Sequence, residues 1–289
     1  LYTNDSLDNF HEKYAIQLND THPALAIPEF MRILVDEHGF EWNRAWSITT
    51  KSFSYTNHTL LPEALEKWPL EMFERLFPRH LEIIYEINHR FLEDVRERFP
   101  KLSDMVRKVS LIEEGGRRYV RMANLACVGS HAINGVSALH TRLLRNGTFD
   151  EFHKIWPGKI RNITNGITPR RFLVLSNRGL ADLITRHIGE GWVTRLEELR
   201  KIEPLAEDPE FRKSWREVKL ENKKKLASVI KDRTRIIVDP NSMFDIQTKR
   251  IHEYKRQLLN VLHIITFYNY LRRNRSEEHT SELQSLLII

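Results

Sequence analysis

Apolar residues recur at helical spacing through most of the first half of the chain. Between Arg79 and Pro100, Leu81, Ile84, Tyr85, Phe91, Leu92 and Val95 share one stripe, which predicts a helix bracketed by Pro78 and Pro100. An earlier helix is predicted from Asp20 or Thr21 as N-cap and Pro23 in the first turn. Leu25, Phe30, Met31 and Leu34 form its apolar face, and Gly39 is its stop. Pro62 and Pro69 flank a further short helical piece. From Gly158 to Pro169 the pattern breaks into turn formers, Asn162, Thr164, Asn165, Gly166, Thr168 and Pro169, a candidate domain junction. Helical spacing resumes at Arg170 and holds to about Asp232. Ile236–Val238 then reads as strand, and Phe244–Thr248 alternates apolar with polar as a half-buried strand does. A long helix with Leu258, Leu259, Leu262, Ile265 and Tyr268 on one side follows at once. Strand, basic turn and helix make an α/β unit of the kind that binds phosphate at its switch point.

Composition narrows the class. With 289 residues, 41% hydrophobic and 29% charged, the chain can bury a sizeable core, and wholesale disorder is excluded. No apolar run approaches the ~20 residues that span a bilayer, so a membrane partner is not expected. Cys127 stands alone, which excludes an internal disulfide framework and a cysteine-based zinc module. The start, Leu1-Tyr2-Thr3-Asn4, has neither an initiator Met nor a basic-then-apolar signal pattern, so a fragment of a cytoplasmic protein is expected. Six Asn-x-Ser/Thr sequons, at Asn4, Asn19, Asn57, Asn146, Asn162 and Asn274, are set aside on the same grounds. Residues 275–289 break the pattern: Arg275 to Ser285 resembles one reading frame of a common sequencing adaptor, and the tail is expected to be artefact.

Charge points to where chemistry lies. The net +6 is uneven, −1 up to Asn165 and +7 from Gly166 onward, which suggests an anionic ligand in the second part. Its densest run is Lys249-Arg250-Ile251-His252-Glu253-Tyr254-Lys255-Arg256. Arg250 can grip a phosphate with two parallel N–H bonds, while Lys249 and Lys255 act as mobile point charges. The free N–H groups of the following helix add partial positive charge there. A second set is polar and loop-like: Asp20, His22, Thr56-Asn57-His58-Thr59 and Asn162 to Thr168. Such side chains hydrogen-bond the hydroxyls of a sugar, although each alone also serves as a cap or turn residue. No H-E-x-x-H or G-x-S-x-G occurs, and no metal ligand set is expected. Gly189-Glu190-Gly191 reads as a helix C-cap.

Several long motifs together carry a family resemblance. Ala15 to Pro23 (AIQLNDTHP), Tyr55 to Thr59 (YTNHT), Thr164 to Arg171 (TNGITPRR) and the run from Lys249 to Gln257 resemble the central part of the glycogen phosphorylases, the α-1,4-glucan phosphorylase family that uses pyridoxal 5′-phosphate. The resemblance extends to about Asn274. It implies an α/β fold of two Rossmann-like lobes, the nucleotide-diphosphate-sugar transferase (GT-B) type, of which this mostly helical chain holds parts. Residues 1–163 would close the N-terminal lobe and 164–274 would open the C-terminal lobe, on the cofactor and phosphate side.

The implied reaction is phosphorolysis of an α-1,4-glucan by inorganic phosphate to glucose 1-phosphate with retention, in a protein that is a homodimer when full length. Carried over by motif, Lys249 resembles the residue that holds the cofactor phosphate, and Arg250 and Lys255 those that clamp the substrate phosphate. Tyr254 resembles a hydrogen-bonding residue of that site, and His252 lines it. His58 and Asn165 resemble the glucose-contacting residues, and Asp20 and His22 border the cleft. Tyr85, Asn88, Glu114 and Arg118 resemble an oligosaccharide storage site, with Arg118 where the pattern has Lys and His89 where it has Gln. The Schiff-base lysine of the family falls in a motif outside this chain, so the chain alone is expected to be inactive. A sugar-nucleotide glycosyltransferase of the same fold is the nearer alternative. A basic nucleic-acid-binding module is disfavoured, because outside the 249–256 run the cations are interleaved with acids.

Overall fold

The protein is described by a computed structural model covering residues 7–100 and 103–274, with only the backbone of Ser103. The N-terminal tetrapeptide and the adaptor-like tail, residues 275–289, lie outside the described residues. Chain contacts divide the fold into two compact units that part between Gly166 and Ile167.

The first unit begins with α1 (Phe10–Lys13) and β1 (Ile16–Asn19), followed by α2 (Ala26–Arg32), which runs on through a wider turn at Ile33–Glu37. Next come α3 (Trp42–Ser52), β2 (Phe53–Thr56), β3 (Lys67–Pro69), α4 (Leu70–Leu76) and α5 (Pro78–Arg98). Then α6 (Ser103–Val109), β4 (Ile112–Glu113), β5 (Tyr119–Arg121), α7 (Met122–Gly129) and β6 (Ala132–Gly135) lead to α8 (Ala138–Leu143), α9 (Asp150–Ile155) and β7 (Ile160–Asn162).

Four of these strands form a parallel sheet in the order β1-β2-β6-β7. Its register aligns Leu18 with Tyr55, Tyr55 with Ile133 and Ile133 with Ile160, and all four side chains are buried. One apolar row thus crosses the whole sheet, and a one-residue slip of β1, β2 or β7 would put polar side chains in its place. Parallel strands need long crossovers. Between β1 and β2 these are α2 and α3, and between β6 and β7 they are α8 and α9. A small antiparallel sheet has the strand order β3-β5-β4.

The first half was expected to be helices joined by loops, and these seven strands correct that reading. Each has only two to four residues, too short for an alternation to stand out. The long helix was legible: α5 starts at Pro78 and buries Leu81, Ile84, Phe91, Leu92 and Val95, with Tyr85 at its margin. The earlier helix starts late, at Ala26, because turns from Thr21 occupy the residues before it, while Gly39 at φ +67° ends it as expected. Between Pro62 and Pro69 the expected helical piece is one turn of 3-10 helix, Pro62–Ala64, which gives way to β3.

In the second unit, α10 (Arg178–Ile188) stops at Gly189, whose φ of +79° suits the end of a helix, and α11 (Pro209–Thr234) starts where Asp208 Oδ1 accepts the Glu210 N–H at 2.9 Å. Ala181, Ile184 and Trp192 form a small core, with the Trp192 indole N–H donating to Thr185 Oγ1 at 3.0 Å. The final helix is α12 (Gln257–Arg273). Neither Ile236–Val238 nor Phe244–Thr248 is a strand. A strand exists only through hydrogen bonds to a neighbour, and none is present here among the described residues; Ile237 is 76% and Ile246 55% exposed. The expected strand–turn–helix unit is therefore extended chain, a basic turn and α12. The side of α12 read as buried is exposed at Leu258, Leu259, Leu262, Ile265 and Tyr268.

Candidate functional sites

The ligand crevice of an open parallel sheet lies outside the carboxyl ends of its strands. Here those ends carry Asn19, Thr56, Asn134, Gly135 and Asn162, and the loops leaving them carry Asp20, His58 and Asn165. The geometry follows strand by strand. Asp20, at φ +61°, leaves β1 in a left-handed turn, with its N–H on Thr56 O at 2.9 Å. Its carboxylate accepts the Thr21 N–H at 2.7 Å and the Thr59 hydroxyl at 3.2 Å. After β2, Asn57 is fully buried: its Nδ2 donates to the Tyr55 hydroxyl at 3.0 Å, and its Oδ1 accepts the Thr59 N–H at 3.0 Å. This fastens the tight turn that presents His58, whose Nε2 donates to Asn19 Oδ1 at 2.8 Å. The sequon at Asn57 is therefore inaccessible.

From β6, Thr56 Oγ1 donates to Asn134 Oδ1 at 2.7 Å, and Val136 O accepts the Asn165 N–H at 3.0 Å. Val136 N–H in turn donates to His140 Nδ1 at 3.1 Å. Burial holds the His140 ring below the usual histidine range, and the His58 imidazole adds to that effect. With Nδ1 accepting, the ring proton is on Nε2, and this buried nitrogen has no partner among the described residues. Thr141 Oγ1 donates to Ser137 O at 2.9 Å and meets Asn162 Oδ1 at 3.2 Å.

The structure thus brings together Asp20, His58 and Asn165 at one sheet edge, with His22 exposed in the turn after Asp20. Asn134, Gly135, Val136 and His140 belong to the same edge and were missed. The Asn-Gly pair and the Ser137 cap were signals of a turn there, but nothing local tied them to β1 and β2.

In the second unit the basic run forms its own cluster. His252 and Tyr254 rings lie 4.4 Å apart, and Lys255 Nζ sits 4.5 Å from the Tyr254 ring centroid. Hydrogen bonds from Lys255 and then Arg250 hold the Tyr254 phenol below its ordinary value. Gln257 ties the run to the start of α12: Nε2 donates to Arg250 O at 2.9 Å, and Oε1 accepts the His252 N–H at 3.3 Å. Arg250, Tyr254 and Lys255 therefore converge, while Lys249 is exposed with no carboxylate partner among the described residues. Two cations around one phenol are a donor set suited to phosphate oxygens.

The four residues with the storage-site resemblance are divided by role. Asn88 on α5 accepts the Leu111 N–H at 2.8 Å and donates to Ser110 Oγ at 3.3 Å, so it fastens the entry to β4. Tyr85 shows 39% exposure on the same helix, and Glu114 and Arg118 are exposed on the β4–β5 turn. Among the described residues no helix is long and apolar enough to cross a membrane.

Comparison with known proteins gives one consistent answer. The profile described as carbohydrate phosphorylase matches residues 1–287. The chain is 55% identical to a glycogen phosphorylase of Synechocystis sp., over 95% of this chain and 32% of that protein. It is 52% identical to a glycogen phosphorylase of Chlamydia trachomatis, over 95% of this chain and 34% of that one. It is also 52% identical to the muscle form of Homo sapiens, over 93% and 32%. The chain spans about a third of the length of these relatives.

Proposed function

Because the chain belongs to the carbohydrate phosphorylase family, we propose that the whole protein phosphorolyses the non-reducing end of an α-1,4-glucan to glucose 1-phosphate. It would do so in the cytoplasm, as a homodimer of two-lobed GT-B chains. The observation that carries this reading is the edge where Asp20, His58 and Asn165 are fastened by hydrogen bonds at the ends of parallel strands.

In phosphorolysis an oxygen of inorganic phosphate forms a bond to the anomeric carbon. The glycosidic C–O bond breaks, and the departing glycosidic oxygen takes a proton from the phosphate and leaves as a hydroxyl of the shortened glucan. Arg250 and Lys255 would hold that phosphate by charge-assisted hydrogen bonds, with the Tyr254 hydroxyl as a further polar contact. His58 and Asn165 would hold the glucose, with His58 supporting charge that develops at the anomeric centre, and Asp20, His22 and His252 bordering the site. Pyridoxal 5′-phosphate, the expected cofactor, supplies a second phosphate that takes part in proton transfer when bound. Lys249 is the residue of this chain that would hold it, and its unpaired ammonium suits an anion; the Schiff-base lysine is expected outside the chain. Two dianions in one dry site repel strongly, which is the physical reason for gathering cations beside them. Tyr85, Asn88, Glu114 and Arg118 would make a separate oligosaccharide storage surface.

The test is an assay of the whole protein with glucan and inorganic phosphate. Phosphate-dependent release of glucose 1-phosphate is expected, and none from the 289-residue chain alone. Sugar transfer from a nucleotide sugar, without a phosphate requirement, would replace this reading with the glycosyltransferase one.

A further inference from the structure

A second hollow lies in the first unit at the opposite, N-terminal ends of the strands. It encloses about 580 Å³ and includes residues just before β2 (Thr50, Lys51), β6 (Ser130, His131) and β7 (Gly158, Lys159). Its apolar walls are the half-buried indoles of Trp42 and Trp46 on α3 and Trp156 after α9.

The charges around it do not balance. Asp94, its one carboxylate, is engaged by Arg98 at 2.8 Å, and Arg90 is engaged by Glu86 at 2.5 Å. Lys51, Lys159 and Arg161 have no carboxylate partner among the described residues. Lys159 Nζ rests 3.8 Å over the Trp156 ring, and burial pushes its ammonium down to about 8. The Ser130 hydroxyl, on a residue 1% exposed that lines the same hollow, has no hydrogen-bond partner among the described residues. Helices α3, α7 and α9 also end near this edge, each contributing about half a negative charge. That accounts for some of the basic charge on the rim. It gives no reason for the buried Ser130 hydroxyl, which is unfavourable unless something accepts its bond.

We propose that this hollow binds a small anion carried on a flat ring, a phosphate monoester or carboxylate, with the ring against the Trp42 and Trp46 indoles and the anionic group on Lys159, Arg161 and the Ser130 hydroxyl. The indoles supply flat apolar area, and the cations concentrate potential in a concave site. The hollow is distinct from the proposed storage surface. At 100° per residue, Arg90 and Asp94 lie on the opposite side of α5 from Tyr85 and Asn88. It is also independent of the phosphorolysis reading, which concerns the other end of the strands.

Indole fluorescence of the 289-residue chain reports the test directly. Phenyl phosphate and benzoate are titrated as probes, with inorganic phosphate and phenol carrying one feature each. At least one ring-bearing anion should quench the indoles and bind roughly tenfold or more tighter than either control, and the tighter of the two identifies the anionic group. Lys159→Met should weaken that binding roughly tenfold or more, the loss expected for a charge-assisted hydrogen bond. Arg161→Gln, at an exposed position that leaves folding intact, should weaken it as well. No binding by either ring-bearing probe, equal binding of inorganic phosphate, or affinity unchanged in both variants would overturn the proposal.

Discussion

His140 holds the backbone of Val136 through its ring nitrogen at 3.1 Å, and Val136 in turn holds Asn165 through its carbonyl at 3.0 Å. A side chain that contacts no proposed ligand thus fixes the approach of one that does. His140→Leu removes the acceptor in a buried place and should lower stability by about 1–3 kcal/mol. His140→Gln, which retains an acceptor, should recover part of it. Urea unfolding of the three chains measures this, and equal midpoints would exclude the clamp.

The same ring predicts how stability varies with pH. Burial lowers the folded-state value of His140, so below the ordinary histidine value of about 6.5 the unfolded chain binds a proton that the folded chain resists. Stability is therefore present above about 6.5 and falls as the pH drops through the region below it. Glu29 acts lower down: hydrogen bonds from Arg32 and His80 hold it at about 2 against 4.5, so its contribution is lost between those values. Glu29 is substantially exposed and its share is small. Unfolding free energy should fall in two ranges on acidification, and His140→Gln should lessen only the upper one, where His131, also lowered by burial, keeps its share.

Two tyrosines should titrate on opposite sides of the ordinary phenol. Tyr254 is lowered by Lys255 and Arg250, whereas burial raises Tyr55. Absorbance titration should show an early phenolate that disappears in Arg250→Ala or Lys255→Met, and a Tyr55 phenolate only on unfolding. An early phenolate that survives both substitutions would separate Tyr254 from the basic run.

Gly135 packs where no side chain fits. A Cβ there would lie 2.9 Å from both His140 Nδ1 and Thr141 Cα, the second a backbone atom that cannot move away cheaply. Gly135→Ala should cost about 1–3 kcal/mol. Asn57→Ala, which leaves the Tyr55 hydroxyl buried without its partner, should cost a similar amount. Thermal unfolding compares them with Gly147→Ala, which meets open space and should be close to neutral.

In the whole protein, Arg250→Ala should raise the phosphate KM steeply with much less effect on glucan affinity, whereas Asn165→Ala should weaken glucose recognition. Equal losses for both ligands in Arg250→Ala would refute a phosphate-clamping role.

Legibility followed the length of each signal. α5 could be read because its stripe of Leu81, Ile84 and Val95 persists over several turns, and Gly39 and Gly189 could be read because left-handed backbone favours glycine. The parallel sheet could not: Ile16–Asn19 becomes a strand only because Phe53–Thr56 pairs with it, and that partner is remote in sequence. Phe244–Thr248 fails the other way, with a good local alternation and no neighbour to bond among the described residues. At the candidate site, Asp20, His58 and Asn165 were found through their motifs, while His140 works through a backbone hydrogen bond to Val136 that no residue pattern announces.

Two kinds of cooperativity follow from the uneven burial of the helices. The row from Leu18 to Ile160 ties every parallel strand to one core, so its amides should exchange with solvent only when the first unit opens as a whole. In α12, by contrast, only Ile264 and Leu271 are buried. Its amides should exchange by local fraying, far faster than those of the sheet. The basic run thus adjoins a helix that can melt and re-form, while the strand ends carrying Asp20 and His58 stay folded.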